Sequence, residues 1–250
     1  MGVIVTYNDI PHTHATLGIT AVTNIVRPIL PYTRDRLMPI TGKDGAYDFG
    51  RDLEPYEYEI RFLFEGSTLI ETMQRSHAIA AWLNQSEVRR LTFDDEPNVF
   101  YMARPVRKIW VDRTVRIGIA SVTFVIPDAC AHAVTAKTVD PAVTPFPATN
   151  EGTKPCPAIV TLTMAEVSPG LTVDFPCGEF ILVHTLAISD VVVVDTNTSM
   201  VTVNGFDARA SVSFTSAPYD DLLLPVGDFT ITADPVSTVI NSVVYRERYV

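Results

Sequence analysis

Few residues in this chain have the types and spacing that chemistry needs. His12 and His14 stand two apart in Asn8-Asp9-Ile10-Pro11-His12-Thr13-His14. In an extended segment they share one face, which is half of a metal site. No third ligand stands near them in sequence, so they read as solvated loop histidines. Asp94, Asp95 and Glu96 are consecutive acids that a calcium loop could use. Their spacing is not that of an EF-hand and Pro97 follows directly, so a solvated hairpin turn is the better reading. Asp220-Asp221 is a carboxylate pair, but glycosidase acids face each other across a cleft and cannot be chosen from sequence neighbours. The three cysteines at 130, 156 and 177 are odd in number and fall in no close motif, which argues against a disulfide framework or a zinc site. They read as buried thiols, with a Cys156–Cys177 pair left open. No nucleophile elbow, phosphate loop, dinucleotide fingerprint or His-Glu-x-x-His pattern occurs. Two Trp without a platform pattern give no sign of a sugar-stacking surface. The expectation is a protein that is not an enzyme, with no cofactor and no required metal.

The bulk properties narrow the class. The chain has 250 residues, 47% of them hydrophobic, enough for one large or two ordinary domains. No apolar run approaches the ~20 residues of a membrane span. The start Met-Gly-Val-Ile-Val-Thr lacks a basic leader and a cleavage site, so no secretory signal is expected. The net charge of −10 argues against a nucleic-acid groove. That charge is uneven. Residues 1–136 carry 14 basic and 16 acidic side chains, whereas residues 137–250 carry 5 and 13. The shift predicts two domains, 1–136 and 137–250.

The elements around these residues are mostly strands. Residues 2–7 and 17–26 are enriched in Val, Ile and Thr, as strands are. Pro28, Pro31 and Pro39 then break the chain into short extended pieces. Thr68 to Glu71 fits a capping box. Leu69, Ile70, Met73, Ala80 and Leu83, with Ala81 nearby, give an apolar face at helical spacing. His77 falls on or beside that face, and Trp82 packs the last turn against the sheet. Val88–Phe93 is the next strand. Val99–Val111 and Val115–Ile126 form a long hairpin around Asp112-Arg113-Thr114. The second arm is apolar on both faces and is expected to be covered on both. Residues 127–155, with five prolines, read as an extended connection. From Cys156 onward, strands are predicted at 157–164, 171–175, 179–184, 191–195, 200–205, 209–214, 228–233 and 236–245, separated by turn signals and without a helix. Regular short strands of this kind indicate a β-sandwich or jelly roll. The fold class is therefore mostly β. An N-terminal sandwich-like α+β domain with one helix precedes a C-terminal sandwich.

One stretch organises the first half. Gly42 to Glu54 holds three glycines, four acids and two bases, and reads as an irregular charged loop. Behind it, Tyr56, Tyr58, Ile60, Phe62 and Phe64 alternate with Glu57, Glu59 and Arg61, a strand with an aromatic face. The run Lys43-Asp44-Gly45-Ala46-Tyr47-Asp48-Phe49-Gly50-Arg51-Asp52-Leu53-Glu54-Pro55 resembles the belt region of siphophage distal tail proteins, the Dit family. The second half is similar in order and spacing. Asn150-Glu151-Gly152-Thr153-Lys154-Pro155-Cys156-Pro157 looks like the family's opening segment. Val191–Asp195 and Val201–Phe206 look like its paired strands. Leu224–Ile231 looks like its Leu-x-Pro-Gly-x-Asn-x-Ile stretch, with Asp228 in place of Asn, and Val243–Tyr249 looks like its closing strand.

That resemblance implies a structural virion protein, made in the host cytoplasm and carried at the distal end of the tail. It implies a galectin- or carbohydrate-binding-module-like second domain. It further implies a homohexameric baseplate-hub ring that joins the tail tube protein to a tail-tip protein, with a channel that DNA passes without sequence recognition. Receptor-binding or side-fibre proteins would attach outside. The belt loop would lie at a subunit contact, with Asp44, Asp48, Phe49, Arg51, Asp52 and Glu54 as the interface residues. Ring formation would belong to the first domain, the Pro127–Pro155 connection holding the second outside it as a semi-rigid spacer. The alternative is an adhesion module that binds host cell-wall glycans.

Overall fold

The computed structural model describes residues 3–42, 44–113, 116–140, 145–213 and 222–250. Gly2, Lys43, Thr114, Val115 and the pair Asp220-Asp221, all used above, lie outside the described residues, as does part of the Pro-rich stretch. The chain divides into two compact units between Val134 and Thr135.

The first unit contains β1 (Val5–Tyr7), β2 (Ile10–Pro11), β3 (Ile19–Val26), β4 (Thr33–Pro39), β5 (Ala46–Leu53), β6 (Tyr56–Glu65), α1 (Leu69–Leu83), β7 (Arg89–Phe93), β8 (Val99–Arg113), β9 (Ile117–Ile126) and β10 (Ala131–Ala133). Its main sheet runs β2-β1-β7-β8-β9-β6-β3, and β10 adds to β8. The alternation of β6 is realised: Tyr56, Tyr58, Ile60, Phe62 and Phe64 are all buried. Across the ladder, Val122, Phe124 and Ile126 of β9 fill the same face. Phe64 fits only because residue 118 is glycine; a Cβ there would collide with its ring.

Helix α1 lies where the sequence puts it. The Thr68 hydroxyl accepts from the Glu71 N–H at 3.2 Å, and the Glu71 carboxylate accepts from the Ser67 N–H at 2.7 Å. Its buried face differs from the expectation. Thr72, Ile79, Trp82 and Leu83 are buried, whereas Leu69, Ile70, Met73, His77 and Ala80 are exposed. Trp82 fixes the choice: its indole N–H donates to the Tyr7 carbonyl at 3.0 Å, and its ring meets Phe62 edge-on. Once that turn is docked, the first-turn residues project away from the sheet.

Four other expectations change. His12 is buried, not solvated: its Nδ1 accepts from the Val5 N–H at 3.0 Å and its ring lies over Phe62. Burial outweighs the backbone bond and holds its pKa below the ordinary value. His14 is exposed, as expected. Strand β9 is central in the sheet but covered on one face, since Ile117 and Ile119 are exposed. The stretch from Gly42 to Glu54 is not an irregular loop, because most of it is β5. Residues 127–155 are not a spacer, because they contain β10 and two strands of the second unit.

The second unit is a sandwich of two antiparallel sheets around one core. Its strands are β11 (Lys137–Val139), β12 (Phe146–Asn150), β13 (Ala158–Thr163), β14 (Leu171–Phe175), β15 (Gly178–Leu182), β16 (Val191–Asp195), β17 (Met200–Val203), β18 (Phe206–Asp207), β19 (Val212–Ser213), β20 (Gly227–Asp234) and β21 (Val239–Tyr245). A 3₁₀ turn at Arg209–Ser211 stands where a strand start is predicted. The sheets run β11-β21-β13-β16-β17-β18 and β12-β20-β14-β15-β19. Inward residues such as Val160, Leu162, Val192, Val194, Val173, Phe180 and Ile231 close the core between them. The three strands missed from sequence, β11, β12 and the two-residue β18, are all edge strands; an edge position lets proline stand without a lost ladder bond, and Pro147 sits in β12 opposite Thr230. The cysteines are all thiols. Cys130 and Cys156 are buried, but Cys177 is exposed, against the expectation for it.

A charged cluster ties the ends of this unit together. Glu247, 6% exposed, accepts from Lys137, from the Glu151 N–H at 2.8 Å and from the Tyr249 hydroxyl at 2.9 Å. Burial alone would raise the carboxyl, but these bonds outweigh it and hold its pKa below the ordinary 4.5. The Lys137 ammonium is raised by the hydrogen bonds it donates to Glu151 and Glu247. A depressed carboxyl contributes stability above its unfolded pKa and loses it as pH falls through the folded value. The raised ammonium contributes below its unfolded value and is lost at strongly alkaline pH. The second unit is therefore expected to lose melting temperature on acidification from about pH 4.5 downward. Glu247→Gln should flatten that acid limb while lowering the neutral-pH plateau. An unchanged acid limb in thermal melts from pH 7 to 3 would refute it.

Candidate subunit-contact surface

The residues singled out from sequence fall on one β-hairpin. Strands β4 and β5 pair with each other and form a two-stranded sheet of their own. The register runs Thr33↔Leu53, Arg34↔Asp52 and Asp35↔Arg51, then Leu37↔Asp48, Met38↔Tyr47 and Pro39↔Ala46. Phe49 and Gly50 therefore oppose Arg36 alone, a β-bulge. Gly50 takes φ +90° there, which a residue with a Cβ rarely adopts. The Asp48 carboxylate accepts from the Gly50 N–H at 2.8 Å and braces the bulge. In the connecting turn, Gly42 and Gly45 also have positive φ.

The charges partly serve the hairpin itself. Asp52 is gripped by Arg36, with Nε donating at 2.9 Å and Nη2 at 2.6 Å, and by Arg34 at 3.3 Å. The Arg36 guanidinium, followed by that of Arg34, holds the Asp52 carboxyl below its usual range. Asp48 and Asp52 are thus satisfied within the ribbon. Arg51 is exposed and makes no ion pair among the described residues. Asp44 and Glu54 are exposed as well, and the Glu54 N–H donates to the Tyr32 carbonyl at 2.7 Å.

Of the apolar residues on the ribbon, sequence reading singles out Phe49 but not Leu37, Met38 or Tyr47. Phe49 is 64% exposed, and Tyr32, Leu37, Met38 and Tyr47 are exposed as well, on both faces of the ribbon and at its base. Isolated two-stranded ribbons are marginal in water. A signal for β4 was present. Arg34-Asp35-Arg36 is the charge complement of Arg51-Asp52, as cross-strand partners require.

Nothing here assembles a nucleophile, a base and an oxyanion site. Among the described residues, one cluster of mixed metal-donor types forms away from the hairpin, Asp128, Cys130 and His132. No described helix is long and apolar enough to cross a membrane.

Residues 12–126 match the family model of the phage tail protein RIFT-related domain, and residues 151–249 match that of the siphovirus-type tail component, C-terminal domain. The chain belongs to the siphophage distal tail family. It is a component of the virion, at the distal end of the tail. The distal tail fold is also found in solved structures. The Dit protein of phage SPP1, described as a paradigm of the hub adsorption apparatus in phages infecting Gram-positive hosts, superposes with a TM-score of 0.81 at 15% identity, over 100% of both chains. A chain of the phage P2 baseplate, in its activated conformation with calcium, superposes with a TM-score of 0.51 at 9% identity, over 100% of this distal tail chain and 99% of that one. No curated protein sequence matches. The hairpin lies within the residues matched by the first family model, and the sandwich from β13 onward within those matched by the second; β11 and β12 precede that match.

Proposed function

We propose that this distal tail protein forms a homohexameric hub ring, built by the first unit through the β4–β5 hairpin. The carrying observation is a ribbon that pairs with no other described strand, exposes Leu37, Met38, Tyr47 and Phe49, and keeps Arg51 available. A closed ring needs a heterologous, directional contact. Apolar groups supply its attraction, and Arg51, Asp44 and Glu54 supply charge-assisted bonds that fix its register. The ring continues the tail tube and leaves a channel that DNA crosses without being read. The second unit faces outward and offers its sheets to tail-tip, receptor-binding or side-fibre proteins. The charge distribution favours this arrangement. Six second units, each carrying most of the negative charge, repel one another near a common axis, although salt screens this over ~8 Å.

The test is the solution mass of the full chain. A ring has six times the 27.5 kDa of one subunit. Light scattering at tens of micromolar protein is expected to give that mass. Arg51→Glu should shift the mass toward monomer at moderate salt with the fold intact. A monomeric wild-type chain, or an Arg51→Glu chain that assembles as well as wild type, would overturn the reading.

A further inference from the structure

We propose that Asp128, Cys130 and His132 form a binding site for a divalent transition-metal ion of the zinc type. The proposal is independent of the ring, and no part of the hairpin enters it. Strand β9 ends at Ile126, and the chain turns through Pro127 and Asp128 into β10, with the Ala129 N–H donating to the Ile126 carbonyl at 3.3 Å. Ala129 takes φ +47°, an uncommon conformation for a residue with a Cβ. The turn carries Asp128 back to the two residues that follow. One donor atom from each of the three side chains then lies within 4.8 Å of the others.

The donor set and its spacing suit the ion. The Cys130 sulfur lies 3.8 Å from the His132 Nε2. Zinc–sulfur and zinc–nitrogen bond lengths place two such ligands roughly 3.6 Å apart in a tetrahedral site. The Asp128 carboxylate is hydrogen-bonded to the same His132 nitrogen. A cation would replace the shared proton, and the two groups would part by close to an ångström to take up tetrahedral positions around it. Thiolate and imidazole together select zinc or cobalt over calcium or magnesium, which prefer all-oxygen sites. The imidazole is held in position beforehand: His132 pairs with Phe100 across β10 and β8, and the rings stack at 5.3 Å. Cys130 is fully buried, while the Asp128 side chain keeps 32% of its surface and leaves a route for the ion and for a water as fourth ligand. Binding releases the thiol proton and the proton between Asp128 and His132, so affinity rises with pH.

A hydrogen-bonded Asp–His pair beside a core thiol is the competing reading, and cobalt separates the two. The full chain, with thiols kept reduced, is titrated with Co²⁺ and followed by absorption. One equivalent is expected to give a thiolate-to-metal charge-transfer band with tetrahedral d–d bands, and zinc should erase both. Cys177→Ser, which changes the exposed thiol, should leave the spectrum intact. Cys130→Ser should remove the charge-transfer band. His132→Asn should weaken binding by more than the ~10–100-fold that loss of an outer-shell partner costs. No charge-transfer band in the wild-type chain would overturn the proposal whatever the variants do. So would a band that vanishes in Cys177→Ser.

Discussion

A fragment beginning at Asn150 is expected to show no cooperative unfolding transition, whereas a fragment spanning Thr135–Tyr249 melts cooperatively as a monomer. A cut at Asn150 leaves β11 and all but the last residue of β12 on the wrong side, whereas the boundary that composition suggests, between residues 136 and 137, keeps both strands with the sandwich. Strand β12 pairs with β20 from Phe146↔Ile231 to Asn150↔Gly227, so its removal bares an edge of the sheet. It also removes Phe146, which is fully buried. Deleting one buried Phe side chain costs about 3–5 kcal/mol. Losing β11 takes Lys137 away and leaves the buried Glu247 carboxylate without its cation. A domain has only about 5–15 kcal/mol in total, so these losses approach the whole. Circular dichroism melts of both fragments decide it. If the shorter one melts cooperatively within a few degrees of the longer, the two strands are dispensable.

Phe49→Asp is expected to abolish the ring while leaving the subunit folded. The side chain is 64% exposed in the single chain, so the substitution removes little from the subunit's own core. In the proposed ring it is covered by a neighbour, and truncating such an anchor costs about 2 kcal/mol or more per contact. A closed hexamer repeats the loss at six contacts, roughly 12 kcal/mol in all. The carboxylate also adds negative charge beside Asp48 and Asp52. Sedimentation velocity should show only monomer at concentrations where the wild type is assembled, with an unchanged melting temperature at low concentration. A persistent hexamer would mean that the hairpin is not the contact.

The parts of the fold legible in sequence were those where local pattern and burial agree. The aromatic face from Tyr56 to Phe64 is one, because a period of two over ten residues admits no other element. The Thr68–Glu71 cap is another, because its chemistry is local. Leu69, Ile70 and Met73 were misplaced because helical spacing defines a stripe, but the docking of Trp82 decides how much of it is covered. Strand β12 is hidden by Pro147, which its edge position tolerates, and β11 by being only three residues long. The six residues that the resemblance names as an interface all fall on or beside the β4–β5 hairpin. Their charge was legible, but Asp48 and Asp52 turn inward to the ribbon's own bonds. The exposed Leu37 and Met38 come from a strand that the sequence reading left as broken pieces. Asp128, Cys130 and His132 do alternate in sequence, yet only the turn at Ala129 makes them neighbours.

The sandwich closes by joining its first strands to its last: β11 lies against β21, and β12 against β20. During synthesis this geometry acts as a timer. A sheet whose partners lie about a hundred residues apart pays its loop-closure entropy before any contact rewards it, and it forms slowly. It cannot finish until Tyr245 has left the ribosome. At about 5–20 residues per second, the stretch from Thr135 onward takes on the order of 6–20 s to make. The first unit, all of it in sequence by Val134 except Val250, has that interval in which most of it can fold. Each nascent chain thus carries nearly all of its N-terminal unit, hairpin included, while its other half is still being translated, and in the proposed ring neighbouring chains on one messenger could first meet through that hairpin.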